Sequence, residues 1–355
     1  MIRPLRLLSM ALLALTLTVF VAACGDEDDA ATAGSTSNGT AATTDAVKEL
    51  TVYSGRDEEL VKPLLDEFSK TTGIKLNVRY GDTAELAATI REEGDNSPAD
   101  VFFGQDAGAL GALQKAGLLA ELPQGTLAKV DARYHSSAKQ WVGTSARARV
   151  IAYDKRDVKA AAVPQSVLEL TDAKYKGKVG WAPTNASFQA FVTAMRKISG
   201  EDVAEQWLKD MKANGAKAYE KNGLVRDAIA SGEVQFGLIN HYYVLEAAAK
   251  EGADYPVGVA FAKAGDPGSL VNVAGGGVLK SSGKQAGGVQ LLDFLLSDAS
   301  QKFFAQKTFE YPLVASQASP VGVPALTKLA QPALDLSDLD DLQGTLELIE
   351  KTGVL

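Results

Sequence analysis

The segment from Lys221 to Gly252, KNGLVRDAIASGEVQFGLINHYYVLEAAAKEG, sets the architecture. Its first part reads as a helix that leads into the strand VQFGLIN, whose apolar run Phe236-Gly237-Leu238-Ile239 stops at Asn240. An alanine-rich helical pattern begins just after Tyr243. Helix, buried strand and helix in succession build a mostly parallel sheet covered on both faces. His241, Tyr242 and Tyr243 crowd the junction, in a chain that holds only ten tyrosines and two histidines. Ligands of such sheets sit beyond the carboxyl ends of strands, in the loops entering helices.

The alternation continues on both sides. Upstream, ELTVYSG is a strand and DEELVKPLLDEFSKTTG a helix, with Leu60, Leu64 and Phe68 four apart, acids in its first turn and Gly73 as its stop. IKLNVRY, TAELAATIREEG, ADVFFG and DAGALGALQKAG continue as strand, helix, strand, helix. Further on, KGKVGWAP reads as a strand, TNASFQAFVTAMRKISG and EDVAEQWLKDMKANG as helices. SLVNVAGGGVLK reads as a strand and QAGGVQLLDFLLSDASQKFFAQ as one long helix. Gly275-Gly276-Gly277 inside a strand pattern marks a bend or a close backbone approach. Three loops at strand ends qualify as ligand sites: Ser54–Glu58, Gly104–Asp106 and Asn240–Tyr243.

The 355 residues suffice for two domains, and the ends of the chain carry separate information. Arg3 and Arg6 precede an apolar run from Leu7 to Ala22, which ends in Val21-Ala22-Ala23-Cys24-Gly25. This is the plan of an export signal over residues 1–23, and the small residues before the single cysteine resemble a lipobox, implying cleavage before Cys24 and a lipid on its sulfur. Residues 24–46 are Gly, Ser, Thr, Ala, Asn and acids without an aromatic. They form an acidic tether, and the folded part begins near Val47. The expected location is outside the cytoplasm, at the outer face of the cell membrane.

After cleavage 34 basic residues face 44 acidic ones, net −10. Such a surface repels nucleic acid. One cysteine and two histidines exclude disulfides within the chain and multi-cysteine or multi-imidazole metal sites, so a metal would be held by oxygen, which favours hard cations. No nucleophile elbow, metalloprotease helix or P-loop is present, and neither His135 nor His241 has a motif that would make it a base for serine catalysis. An enzyme is not expected.

Segment order and several strings resemble the ferric-iron-binding proteins of bacterial ABC importers. These strings are LTVYSGRDEEL, IREEGDNSPADVFF, SARARVIAYD, KNGLVRDAIASGEVQFGLINHYY, GDPGSLVNVAGGGVLK and EYPLV. The resemblance implies a two-lobed periplasmic-binding-protein fold, with residues 47–149 plus 272–321 as first lobe and 150–271 plus 322–355 as second. It implies a monomeric receptor that hands Fe(III) to a membrane permease and its ATPase. Tyr242 and Tyr243 match the family's paired phenolate ligands. On the residues alone, such a pair is either packing or a chelating hook. A phenol of pKa near 10 ionises near neutrality only beside a strong positive charge, which a hard trivalent cation supplies.

The first lobe departs from the family pattern. Asp57 stands where a histidine ligand is found, with Glu58 beside it, and either residue suits a helix N-terminus as well as a metal. Gln105 stands where some members carry glutamate, and Asp106 next to it reads as a cap or a ligand. A synergistic anion, phosphate or carbonate, is implied at Thr184, Asn185, Ala186, Ser187, Asn222 and Asn240, around a helix start. Arg147 and Arg149, two apart on a strand, either neutralise that anion or bridge the lobes by salt bridges. His241 is expected to be a partly exposed bystander and Tyr53 a packing residue. Two readings stay beside the ferric one: the same fold binding an organic phosphate, phosphonate or polyamine, and an extracellular enzyme or adhesive lipoprotein.

Overall fold

The computed structural model describes residues 46–355. The export signal, Cys24 and nearly all of the tether expected from the sequence lie outside the described residues. The strands are β1 (Glu49–Ser54), β2 (Lys75–Tyr80), β3 (Val101–Gly104), β4 (Val142–Asp154), β5 (Val179–Trp181), β6 (Lys217–Ala218), β7 (Phe236–Asn240), β8 (Val257–Ala260), β9 (Val271–Val278) and β10 (Tyr311–Pro312). The helices are α1 (Glu58–Thr72), α2 (Thr83–Glu93), α3 (Ala107–Lys115), α4 (Gln124–Leu127), α5 (Ala186–Ser199), α6 (Glu201–Ala213), α7 (Asn222–Ala230), α8 (His241–Glu251), α9 (Gln285–Leu295), α10 (Asp298–Lys307) and α11 (Leu342–Thr352).

The strands follow one hydrogen-bonded path, β2-β1-β3-β9-β4-β7-β5-β6, with β10 and β8 also on β4. Each end of the path is parallel, β2-β1-β3 on one side and β7-β5-β6 on the other. The middle is antiparallel, because β4 and β9 carry the chain across and back. β4 is the shared element. Its first part pairs with β9 and β10, and its last part, from Arg149 onward, with β7 and β8. All thirteen of its residues are buried, the mark of a strand covered on both faces.

Local sequence accounts for the elements that hold the site. In α1, Val61, Leu64, Leu65 and Phe68 form the buried stripe and Gly73, at φ 75°, closes the helix in the left-handed region. Fully burying a side chain such as Phe68 is worth roughly 1.5–3 kcal/mol. The glycine triplet in β9 is a close approach, as its pattern indicates. A Cβ on Gly276 would lie 2.5 Å from Leu292 Cδ2, and one on Gly275 2.6 Å from the Val142 carbonyl. The long helix expected after Gln285 is two helices. The chain breaks at Leu296–Ser297, where the Ser297 hydroxyl accepts from the Ser300 N–H and so caps α10.

The C-terminal segment is divided between the halves of the sheet. The 3-10 turn at Leu336–Asp340 lies on α3, so close that a Cβ on Gly108 or Gly111 would meet the Leu339 or Ser337 carbonyl at 2.4 Å. The same turn also touches α5, and α11 packs on α5 and α6, with Arg196 donating to Asp341 Oδ2 (2.8 Å).

Candidate metal and anion site

β7 ends at Asn240, and α8 begins at the next residue. Tyr242 and Tyr243 thus occupy the first helical turn, where neighbours diverge by about 100° instead of pointing to opposite faces as in a strand. Their rings stack, with centroids 4.4 Å apart and planes 30° from parallel. Tyr242 is buried and Tyr243 half-buried. Both line an open cleft of ≈ 680 Å³ together with Asp57, Glu58, Glu59, Leu60, Lys62 and Glu246. The cleft thus puts the two phenols opposite the N-terminus of α1. Burial drives the Tyr242 phenol well above its ordinary range, and Tyr243 and Glu310 push the same way.

Asp57 precedes α1 but makes no capping hydrogen bond with its exposed side chain. Its carboxylate and that of Glu58 are free for a ligand. Asp106 is different: it caps α3, accepting from the Ala109 N–H (3.2 Å), and burial raises its pKa against the pull of Arg147. It borders not the tyrosine cleft but a separate cavity of ≈ 330 Å³, which Ala186 also lines. Gln105 is committed too, since its Oε1 accepts from Arg56 Nη1 (2.8 Å).

The residues expected to cradle an anion do meet at the start of α5. Asn185 caps it, accepting from the Ser187 N–H (3.0 Å) and from Asn222 Nδ2 (3.0 Å). Asn240 Nδ2 donates to Ser187 Oγ (3.1 Å), and Thr184 Oγ1 to the Glu220 carbonyl (3.3 Å). Ala186 is the first residue of the helix. Much of this cluster's hydrogen-bonding capacity is spent within itself.

Neither arginine of β4 makes a salt bridge among the described residues. Arg149 donates to Asn240 Oδ1 (3.2 Å) and the Leu238 carbonyl (2.8 Å), and burial lowers its pKa to about 9. Arg147 is 1 % exposed, and none of its three guanidinium nitrogens has a hydrogen-bond partner among the described residues. A buried cation without partners is costly, and burial lowers its pKa, with Asp106 and Tyr242 acting in the opposite direction.

Sequence reasoning missed Arg56 and Glu310. Arg56, in the loop after β1, grips Glu310 with two hydrogen bonds (3.0 and 2.7 Å), both side chains fully buried. Ser145 and Thr308 also donate to Glu310 (3.1 and 2.9 Å). Burial alone would raise the Glu310 pKa, yet Arg56 beside it holds the carboxylate below its usual range. The two lie 254 residues apart, and only the strings RDEEL and EYPLV hinted at them.

His241 corrects an expectation. It is fully buried, not partly exposed, because its ring stacks on Tyr311 (4.6 Å) and its Nδ1 accepts from the Ala148 N–H (3.2 Å). Burial lowers its pKa to about 4. Tyr53 is packed within β1, its hydroxyl donating to Glu93 Oε1 (3.0 Å).

Among the described residues no three His, Cys, Asp or Glu side chains converge as a metal cluster. The oxygen donors that share the cleft are two phenols from the start of α8 and carboxylates from the start of α1. A cleft at strand ends between two halves of a mixed sheet, lined by hard oxygen donors, is the kind of place where such folds hold a ligand.

The chain belongs to the bacterial extracellular solute-binding protein family, whose profile matches residues 96–334. It is 34 % identical over 316 residues to the major ferric iron-binding protein of Neisseria meningitidis, covering 88 % of this chain and 95 % of that protein. It is also 34 % identical over 308 residues to the Fe(3+)-binding periplasmic protein of Serratia marcescens, covering 86 % and 90 %. Iron-bound HitA from Pseudomonas aeruginosa superposes with a TM-score of 0.81 at 33 % identity, over 86 % of this chain and 99 % of that one. A Trichodesmium protein in complex with iron and citrate gives 0.72 at 31 %, with the same coverages. The fold is that of the periplasmic binding proteins, the relatives are binding proteins and not enzymes, and the location is extracytoplasmic.

Proposed function

We propose that this chain is the receptor of an ABC importer, which captures ferric iron in the cleft and delivers it to a permease driven by its ATPase. The observation that carries the reading is the pairing of Tyr242 and Tyr243, at the carboxyl end of β7, with Asp57 and Glu58 on the opposite wall of one cleft. Four oxygen donors of this kind suit a hard trivalent cation. In this reading the phenols lose their protons to the metal, and Asp57, with Glu58 beside it, completes the grip from the far side. Gln105 and Asp106 stay with Arg56 and the α3 cap.

An oxyanion fills the remaining coordination positions, phosphate and carbonate being the simplest. The α5 start (Thr184, Asn185, Ala186, Ser187), Asn222, Asn240, Arg147 and Arg149 surround its place. The two lobes are residues 47–149 with 272–321, and residues 150–271 with 322–355. They close over the iron by bending where β4 and β9 cross. Lipid on Cys24 tethers the monomeric receptor to the membrane through residues 25–46.

The test is to titrate lipid-free protein with ferric nitrilotriacetate and record the visible spectrum. A one-to-one phenolate-to-iron charge-transfer band supports the proposal. A colourless protein whose melting temperature does not move with iron, with or without phosphate, overturns it.

A further inference from the structure

The dipeptide Glu310-Tyr311 touches the residue that precedes each wall of the cleft. Asp57 stands exposed before α1 with no capping bond of its own, so its place depends on the backbone that leads to it. The residue before it is Arg56, whose buried guanidinium donates twice to Glu310 (3.0 and 2.7 Å) and once to Gln105 Oε1 (2.8 Å). Gly55 ties down the same loop: its N–H donates to the Phe103 carbonyl (2.9 Å) and its carbonyl accepts from Thr83 Oγ1 (3.0 Å). On the other wall Tyr242 follows His241, whose buried ring lies on Tyr311 with centroids 4.6 Å apart.

Glu310 and Tyr311 are themselves fixed. Glu310 also accepts from Ser145 and Thr308 (3.1 and 2.9 Å). Tyr311 pairs with Ala146 of β4, and its hydroxyl donates to the Pro324 carbonyl (3.0 Å). Phe309, just before them, has φ 55°, in the left-handed region where glycine is the usual occupant. Such a conformation persists only where the surrounding structure over-determines it, and it clusters at ligand clamps. Neither Glu310 nor Tyr311 lines the cleft, so any effect on a bound ion passes through Arg56 and His241.

We infer that Glu310 and Tyr311 are positioning residues of the metal site, Glu310 fixing the Asp57 wall through Arg56 and Tyr311 the phenol wall through His241. The start of β10 thereby gauges the span between the two sets of oxygen donors. Groups that orient metal ligands from behind contribute about 10- to 100-fold in affinity, because the ligands are held in place before the metal arrives. This spacing role rests on the ferric reading of the cleft.

The probe is ferric nitrilotriacetate with lipid-free protein, read as affinity by chelator competition, as the position of the visible band, and beside the urea midpoint. Tyr311→Leu removes the ring against His241. It is expected to bind iron about tenfold more weakly, with its phenolate-to-iron band shifted because the phenols meet the metal at altered geometry. Tyr311→Phe keeps the ring, loses only the hydroxyl, and is expected to restore both. Arg56→Met combined with Glu310→Gln removes both buried charges and keeps an acceptor for Ser145 and Thr308, so it is expected to stay folded. This double variant should bind iron about tenfold more weakly with the band in place, since the phenol wall is untouched. Wild-type affinity in folded Tyr311→Leu or in the folded double variant overturns the inference. So does a weakened Tyr311→Leu whose band has not moved, or a Tyr311→Phe that behaves like Tyr311→Leu. A wild type that takes up no iron overturns the ferric function, and the inference with it.

Discussion

Iron binding at a phenol pair must compete with protons, and the structure sets the size of that competition. An ordinary phenol of pKa near 10 costs about 4 kcal/mol to ionise at pH 7. The Tyr242 phenol is pushed well above that range, first by burial and then by Tyr243 and Glu310. In the iron-free protein it is therefore protonated at every physiological pH, and the metal must displace the proton. Raising the pH lowers that cost, so affinity strengthens with pH. If both phenols give up their protons on binding, the association constant rises by about two decades per pH unit across pH 6 to 8. The assay is competition against nitrilotriacetate at pH 6, 7 and 8, read on the phenolate-to-iron band and corrected for protonation of the chelator. Tyr242→Phe should halve the slope, to about one decade per unit. A wild-type affinity independent of pH, or a slope unchanged in Tyr242→Phe, would refute the reasoning.

Other consequences concern the residues around the pair. Asp57→Ala, whose side chain caps nothing, should weaken iron binding in the competition assay and leave urea stability within about 0.5 kcal/mol. Asp106→Ala should do the reverse, losing about 1 kcal/mol of stability with iron affinity little changed, because it removes the α3 cap. Glu310→Gln should cost about 3–5 kcal/mol in urea unfolding, since it leaves Arg56 buried and unpaired. His241 has a folded pKa of about 4, below its unfolded value, so its contribution is complete above the unfolded pKa. Iron-free stability should therefore fall from pH 6.5 to pH 4, by about 3 kcal/mol from this group, and His241→Gln should flatten that decline.

Much of this was legible in the chain because local rules and global fold agree. The strand β7 ends at Asn240 and the helix α8 starts at the next residue, which gave the tyrosine pair both its place at a strand end and its first-turn geometry. The glycine triplet announced a close approach, and β9 needs it against Leu292 and Val142. What stayed hidden depends on distant pairing. Glu310 finds Arg56 across 254 residues, and nothing near either position marks a buried ion pair. The exposure of His241 could not be judged without Tyr311, which covers it from 70 residues downstream. Asp57 and Asp106 are both acids before helices, and only the conformation shows that one caps and the other does not. The break at Ser297 was not legible, because the apolar pattern runs on through Leu295-Leu296 and the segment reads as one long helix.

The identity of the metal ligands is tested most directly by resonance Raman spectroscopy of the iron-loaded protein, excited in its visible band. Wild type should show the ring modes of iron-bound tyrosinate, weaker in Tyr242→Phe and in Tyr243→Phe and absent from the double variant. Iron-loaded wild type without tyrosinate modes, or a double variant that keeps them at full strength, would contradict the assignment of Tyr242 and Tyr243 as the ligands.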